Sequence, residues 1–120
     1  MLNLASTGSS MSVITGSALN LDVTADWVDL LTTTGVTTPG NANTLITTAA
    51  TTTVVAAPAA STIRNIKTIS IRNRDTTNPN VITVKRTDGT NNAEMVKVTL
   101  QAGYTLQYDD GAGWSLVDVS

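Results

Sequence analysis

The sequence predicts an all-β fold: a small antiparallel β-sandwich or jelly-roll-like barrel with an extended N-terminal arm. Three observations carry this expectation. About one residue in five is Thr, and Val and Ile are abundant; β-branched side chains suit a pleated surface and lose rotamer freedom in a helix. No window shows the i, i+3, i+4, i+7 apolar spacing of a long amphipathic helix. In the second half, short alternating runs recur between turn-forming stretches at about 8–12-residue intervals, the rhythm of small sandwiches and barrels.

The first 17 residues read as the arm. Leu2, Leu4, Met11 and Val13 are apolar, but Gly8-Ser9-Ser10 and Gly16-Ser17 interrupt them, so the segment is expected to order only against a partner. Residues 12–15 would add as a strand to an exposed sheet edge of another chain. Residues 18–120 form the sandwich domain. Its first strand is expected over 18–24, where Leu19, Leu21 and Val23 alternate with Asn20, Asp22 and Thr24. Residues 24–31 are the best helical candidate; they are short, and a turn or 3₁₀ piece capped by Thr24 and followed by strand is expected. The Thr/Gly/Pro-rich residues 32–43 read as a low-complexity loop, and residues 51–57 as a strand ending before Pro58.

The later strands are plainer. Over residues 68–73, Ile69 and Ile71 share a face. Over 81–86, Ile82 and Val84 point in while Thr83 and Lys85 point out. Residues 75–80 between them are turn chemistry, with Pro79 unable to donate a ladder hydrogen bond. Asp88-Gly89 marks a reversal, lengthened by Thr90-Asn91-Asn92. Residues 94–100 direct Val96, Val98 and Leu100 inward. Tyr104, Leu106 and Tyr108 share one face of the next strand, Asp109-Asp110-Gly111-Ala112-Gly113 closes a hairpin, and residues 114–119 form the last strand.

Composition removes whole classes of chemistry. With no Cys there is no disulfide, zinc knuckle or thiol nucleophile, and with no His no imidazole base or metal ligand. Asp109 and Asp110 are the only adjacent carboxylates. They lack the alternating oxygen ligands and twelfth-position Glu of an EF-hand, and as neighbours on a strand end they point apart. Ser, Thr and Lys side chains have no activating partner in the sequence pattern. Gly111-Ala112-Gly113 leads into a strand and so offers no phosphate-binding helix N-terminus. The expectation is a non-enzymatic protein with no cofactor and no metal. No run approaches the ~20 apolar residues of a membrane span, and Met1-Leu2-Asn3-Leu4-Ala5-Ser6 has neither the basic start nor the apolar run of a signal peptide.

Nine acids and seven bases leave a net charge of −2, too little for electrostatic capture of nucleic acid or an anionic membrane. The charges are segregated: residues 1–61 carry Asp22, Asp26 and Asp29 and no base, while all seven bases lie within 62–97. Either the acids of one copy meet the bases of a neighbour, or they pair within the chain. Arg64, Lys67, Arg72 and Arg74 form the densest basic cluster. It lacks the interleaved aromatics of a nucleic-acid surface. Leu2, Leu4, Met11, Val13, Arg64, Arg72 and Arg74 are therefore the candidate protein-interface residues. Tyr104, Tyr108 and Trp114 form either part of the core or a sugar-stacking platform. A small β domain without Phe buries little apolar area, which favours a protein that works as a homo-oligomer.

Two segments carry a resemblance. Residues 49–73 (AATTTVVAAPAASTIRNIKTISIRN) and 98–118 (VTLQAGYTLQYDDGAGWSLVD) resemble small β-structured virion proteins of tailed bacteriophages. In that group a Thr/Val/Ala run ends in Pro and leads into a strand like IRNIKTISIRN, and an L-x-x-G-x-T-L-x-Y-x-D-G-x-G-W hairpin closes the domain. The resemblance implies a capsid decoration (cement) protein in the virion, assembled in the host cytoplasm. Its partners would be the major capsid protein and other copies of itself, as a dimer or trimer, with no nucleic acid and no membrane. A tail or fibre component with an adhesion or carbohydrate-binding role is the alternative. On this reading the arm spans joints between capsid subunits, and removing residues 1–17 is expected to spare the fold and abolish particle binding.

Overall fold

The computed structural model describes residues 2–118, none of them helical. Ten strands follow one another: β1 (Leu2–Leu4), β2 (Ser10–Thr15), β3 (Leu21–Leu31), β4 (Thr37–Ile46), β5 (Thr51–Val55), β6 (Thr62–Asn73), β7 (Asn80–Thr87), β8 (Asn92–Leu100), β9 (Tyr104–Asp109) and β10 (Gly113–Asp118). They form two antiparallel sheets. One is ordered β10-β9-β6-β3-β4, with β1 also on β6; the other is β5-β2-β7-β8. The molecule measures 49 × 28 × 20 Å. A 20 Å depth fits two sheets whose inner faces lie ~10 Å apart, so the architecture is a small β-sandwich.

Apolar alternation decides which faces meet. Leu21, Val23 and Ala25 of β3 and Ile69 and Ile71 of β6 face Met11 and Val13 of β2 and Ile82 and Val84 of β7 in a single buried cluster. Bulges correct the alternation where it would misdirect a side chain. Ile66 and Ile69 are three residues apart, which strict alternation would place on opposite faces. Asp26 pairs with Thr68 and Trp27 with Ile66, so Lys67 is the extra residue and both isoleucines turn inward. The bulged carbonyl is satisfied, because the N–H of Asp110 donates to Lys67 O at 2.9 Å. In β5, Val54 is the extra residue between the pairs Met11–Val55 and Ser12–Thr53, and Val54 and Val55 are both buried.

Four expectations from sequence need correction. The N-terminal arm is not present as such. Leu2 and Leu4 lie in the core and β1 pairs with β6, while β2 is an inner strand between β5 and β7. The reason is area: a core built from Val, Ile and Leu needs two complete sheets, and β2 completes the second. Residues 12–15 are thus already paired on both sides and have no free edge to offer another chain. The arm expectation at Met1 lies outside the described residues, as does that for a last strand reaching Val119. Next, residues 24–31 contain no helical turn. They belong to the 11-residue strand β3, in which Thr24 pairs with Asn43 and Ser70 instead of capping. The loop expected over 32–43 ends early, because β4 begins at Thr37. Pro39 is tolerated there because β4 is an edge strand, where a missing N–H costs nothing. Lastly, the strand expected over 18–24 begins only at Leu21 and runs on to Leu31.

Two buried amides tie the connections to the sheets. Asn73 is fully buried; its Nδ2 donates to the carbonyls of Asn78 and Leu100, and its Oδ1 accepts from the N–H of Asp75. Asn80 exchanges both of its hydrogen bonds with the backbone of Ser17. Removing residues 1–17 therefore takes away an inner strand and is expected to abolish cooperative unfolding, the reverse of what an arm would give. The milder Leu4→Ala change should lower the unfolding free energy by about 2–5 kcal/mol in urea titrations, the usual cost of emptying a buried leucine site.

Candidate interaction surface

The seven candidate interface residues divide into two groups. Leu2, Leu4, Met11 and Val13 are at most 4% exposed and serve the chain's own core; none of them is available to a partner. The three arginines do not share a face. In register, Arg64 follows Asp29 on the inner side of the β3–β6 ladder, and Arg72 lies opposite Asp22 and Thr105 on the outer side. Arg74, just past the end of β6, is exposed and reaches Asp22 at 3.3 Å.

Arg64 is the most constrained of the three. Its Nε and Nη2 donate to the two carboxylate oxygens of Asp29 at 2.9 and 3.1 Å, a bidentate pair. Its Nη1 donates to the carbonyl of Ala56 at 2.9 Å, and the guanidinium lies 4.4 Å from the ring centroid of Trp27. The group thereby fastens the β5–β6 connection to the sheet. Gly40, paired with Trp27 across β3–β4, completes the arrangement: a Cβ there would collide with the indole Nε1 and lie 2.8 Å from Cε2. The remaining base of the cluster, Lys67, meets Asp110 at 3.4 Å. Two acids of the acidic half pair with bases of the basic half within the chain, Asp22 with Arg74 and Asp29 with Arg64.

The closing hairpin lies at the open mouth between the sheets. Trp114 pairs with Tyr108 in register, their rings 5.2 Å apart and tilted by 53°. Tyr108 is buried, whereas Tyr104 and Trp114 are half-buried against the core. Beyond them an apolar groove of about 200 Å³ runs between Val96 and Val98 on one side and Leu106, Trp114 and Leu116 on the other. Sequence reasoning missed this groove. Leu116 was legible only as one more alternating residue, and it is 49% exposed. Val36 and Leu45, each 57% exposed, add apolar surface at the far side of the larger sheet.

Two turns hold carboxylates in backbone cradles. Oδ2 of Asp75 accepts the N–H groups of Thr77 and Asn78, and Oδ1 of Asp88 accepts those of Asn91 and Thr90. These bonds favour the charged form and lower both pKa values. Asp109 and Asp110 lie at a hairpin tip whose Gly111 and Gly113 adopt positive φ, and among the described residues no three acids converge as metal ligands.

Arg64→Ala is expected to destabilise the fold by about 2 kcal/mol, the scale of lost charge-assisted hydrogen bonds. Arg64→Lys should recover little of this in thermal unfolding, because an ammonium cannot reproduce the planar fork. For Asp75 and Asp88 the folded pKa lies below the unfolded value. Their contribution is complete above that unfolded value, ~3.9, and is lost as pH falls through the lowered folded value. The Asp75→Ala/Asp88→Ala variant should thus lose less stability than the parent between pH 4 and lower pH in denaturant titrations. Set against known proteins, the chain matches no family model, no curated protein and no solved structure.

Proposed function

We propose that this chain is a structural protein of a tailed-phage particle, a decoration (cement) protein that binds the outer capsid surface and bridges and stabilises neighbouring subunits. The observation that carries the reading is the unfinished perimeter of the sandwich. Both sheets end in edge strands, β10 and β4 in one and β5 and β8 in the other, and apolar side chains stand exposed beside them at Leu116 and Leu45. Such edges suit contacts made through backbone hydrogen bonds and aliphatic packing, which need no particular chemistry in the partner. The virion resemblance of residues 49–73 and 98–118 supports the same reading, since these segments form β5, β6 and the β9–β10 hairpin. With β1 and β2 inside the fold, bridging falls to edges and faces of the sandwich, and repetition over a shell makes modest contacts strong.

The half-exposed ring of Trp114 in the β8–β10 groove favours a second reading, a tail or fibre component that stacks a sugar on that ring. One measurement separates the two. Purified chain mixed with empty capsid shells should co-sediment with them and saturate in proportion to the number of capsid subunits. Failure to bind shells, with binding to tail structures or glycan instead, would reject the decoration reading.

A further inference from the structure

We propose that the free edge of β4 is a self-association surface, on which β4 of a second copy pairs antiparallel across a two-fold axis. An exposed edge strand invites pairing with another chain, and sheets guard against it with short strands, charges, bulges or Pro. Of the five strands with an unpaired side, β1 is only three residues long and three of the others are guarded. Strand β5 has five residues and a bulge at Val54; β8 carries Glu94 and Lys97 and a bulge at Met95; β10 has six residues and ends at Asp118. Strand β4 runs for ten residues, pairs with β3 without a register shift and holds no charged side chain. Its single guard, Pro39, stands near one end.

The strand is self-complementary. With Asn43 on the two-fold axis, residues 40–46 of the two copies align and Pro39 falls outside the ladder. Each exposed Leu45 then meets Asn41 of the other copy. The nearest acids lie on β3, where Asp22 of one copy comes level with Asp26 of the other across three strand spacings, roughly 14 Å. That exceeds the ~8 Å screening length at physiological salt, so like charge does not oppose the seam. The result is one continuous sheet through two sandwiches, with both β10 edges outermost. This inference rests on the reading of the chain as an assembly protein.

Sedimentation equilibrium on the full chain tests it. The parent should form a dimer. Asn43→Lys, which sets two ammonium groups beside the axis, should raise the dissociation constant at least tenfold, while Ser115→Lys on β10 leaves it unchanged. A mixture of Asn43→Lys and Asn43→Glu should recover the dimer. A parent that stays monomeric or forms a trimer, or a dimer indifferent to Asn43→Lys, overturns the proposal. Should Asn43→Lys fail to fold by circular dichroism, hydrogen exchange on the parent decides: β4 amides must slow as concentration rises, and unchanged exchange overturns it. A dimer that ignores capsid shells removes the decoration reading alone, whereas a monomer that binds them removes this inference alone.

Discussion

Burial of two aliphatic sheet faces against each other is the constraint from which the rest of the molecule follows. The chain has no Phe and only four aromatic residues in all, two Trp and two Tyr. Its core must therefore be assembled from many Val, Ile and Leu side chains, each worth about 1.5–3 kcal/mol when fully buried. Such a core spreads over a wide area, and it is complete only when both sheets are complete. That is why residues near the N-terminus are drawn in: Met11 and Val13 supply an inner strand, and Leu2 and Leu4 cover the part of β6 that β9 does not reach.

Strand β6 organises this core. It pairs with β3 along nearly its whole length, and its other side is shared between β1 at residues 64–66 and β9 at residues 68–72. The bulge at Lys67 lies where one neighbour gives way to the other. A single inserted residue thus keeps Ile66 and Ile69 on the same face and marks the change of partner. Arg64 performs a related task at the end of the strand, where its bonds to Asp29 and Ala56 hold the incoming connection against Trp27.

The same economy leaves the perimeter open. The two small sheets end in uncovered strands, with Leu116, Leu45 and Val36 exposed beside them. The proposed particle role draws on all of these edges, and the proposed β4 seam on one of them.

Period-two alternation and turn chemistry are local properties, so the sandwich class, the five later strands and the inward isoleucines were legible from the residues alone. Asp75, Asp88 and the Asp109–Gly113 tip were likewise readable, because a side chain that caps its own turn needs only neighbours in sequence. Partner choice is not local. Whether Leu2 and Met11 lie in an arm or in a core depends on an unfilled inner face elsewhere, and whether Arg64 meets its own Asp29 or another copy's acid depends on register 35 residues away. Residues 24–31 and 37–43 became strand only because β6 was there to pair with β3, and β3 in turn with β4. Alternation assigned each side chain a face; the packing of the two sheets decided what that face would meet.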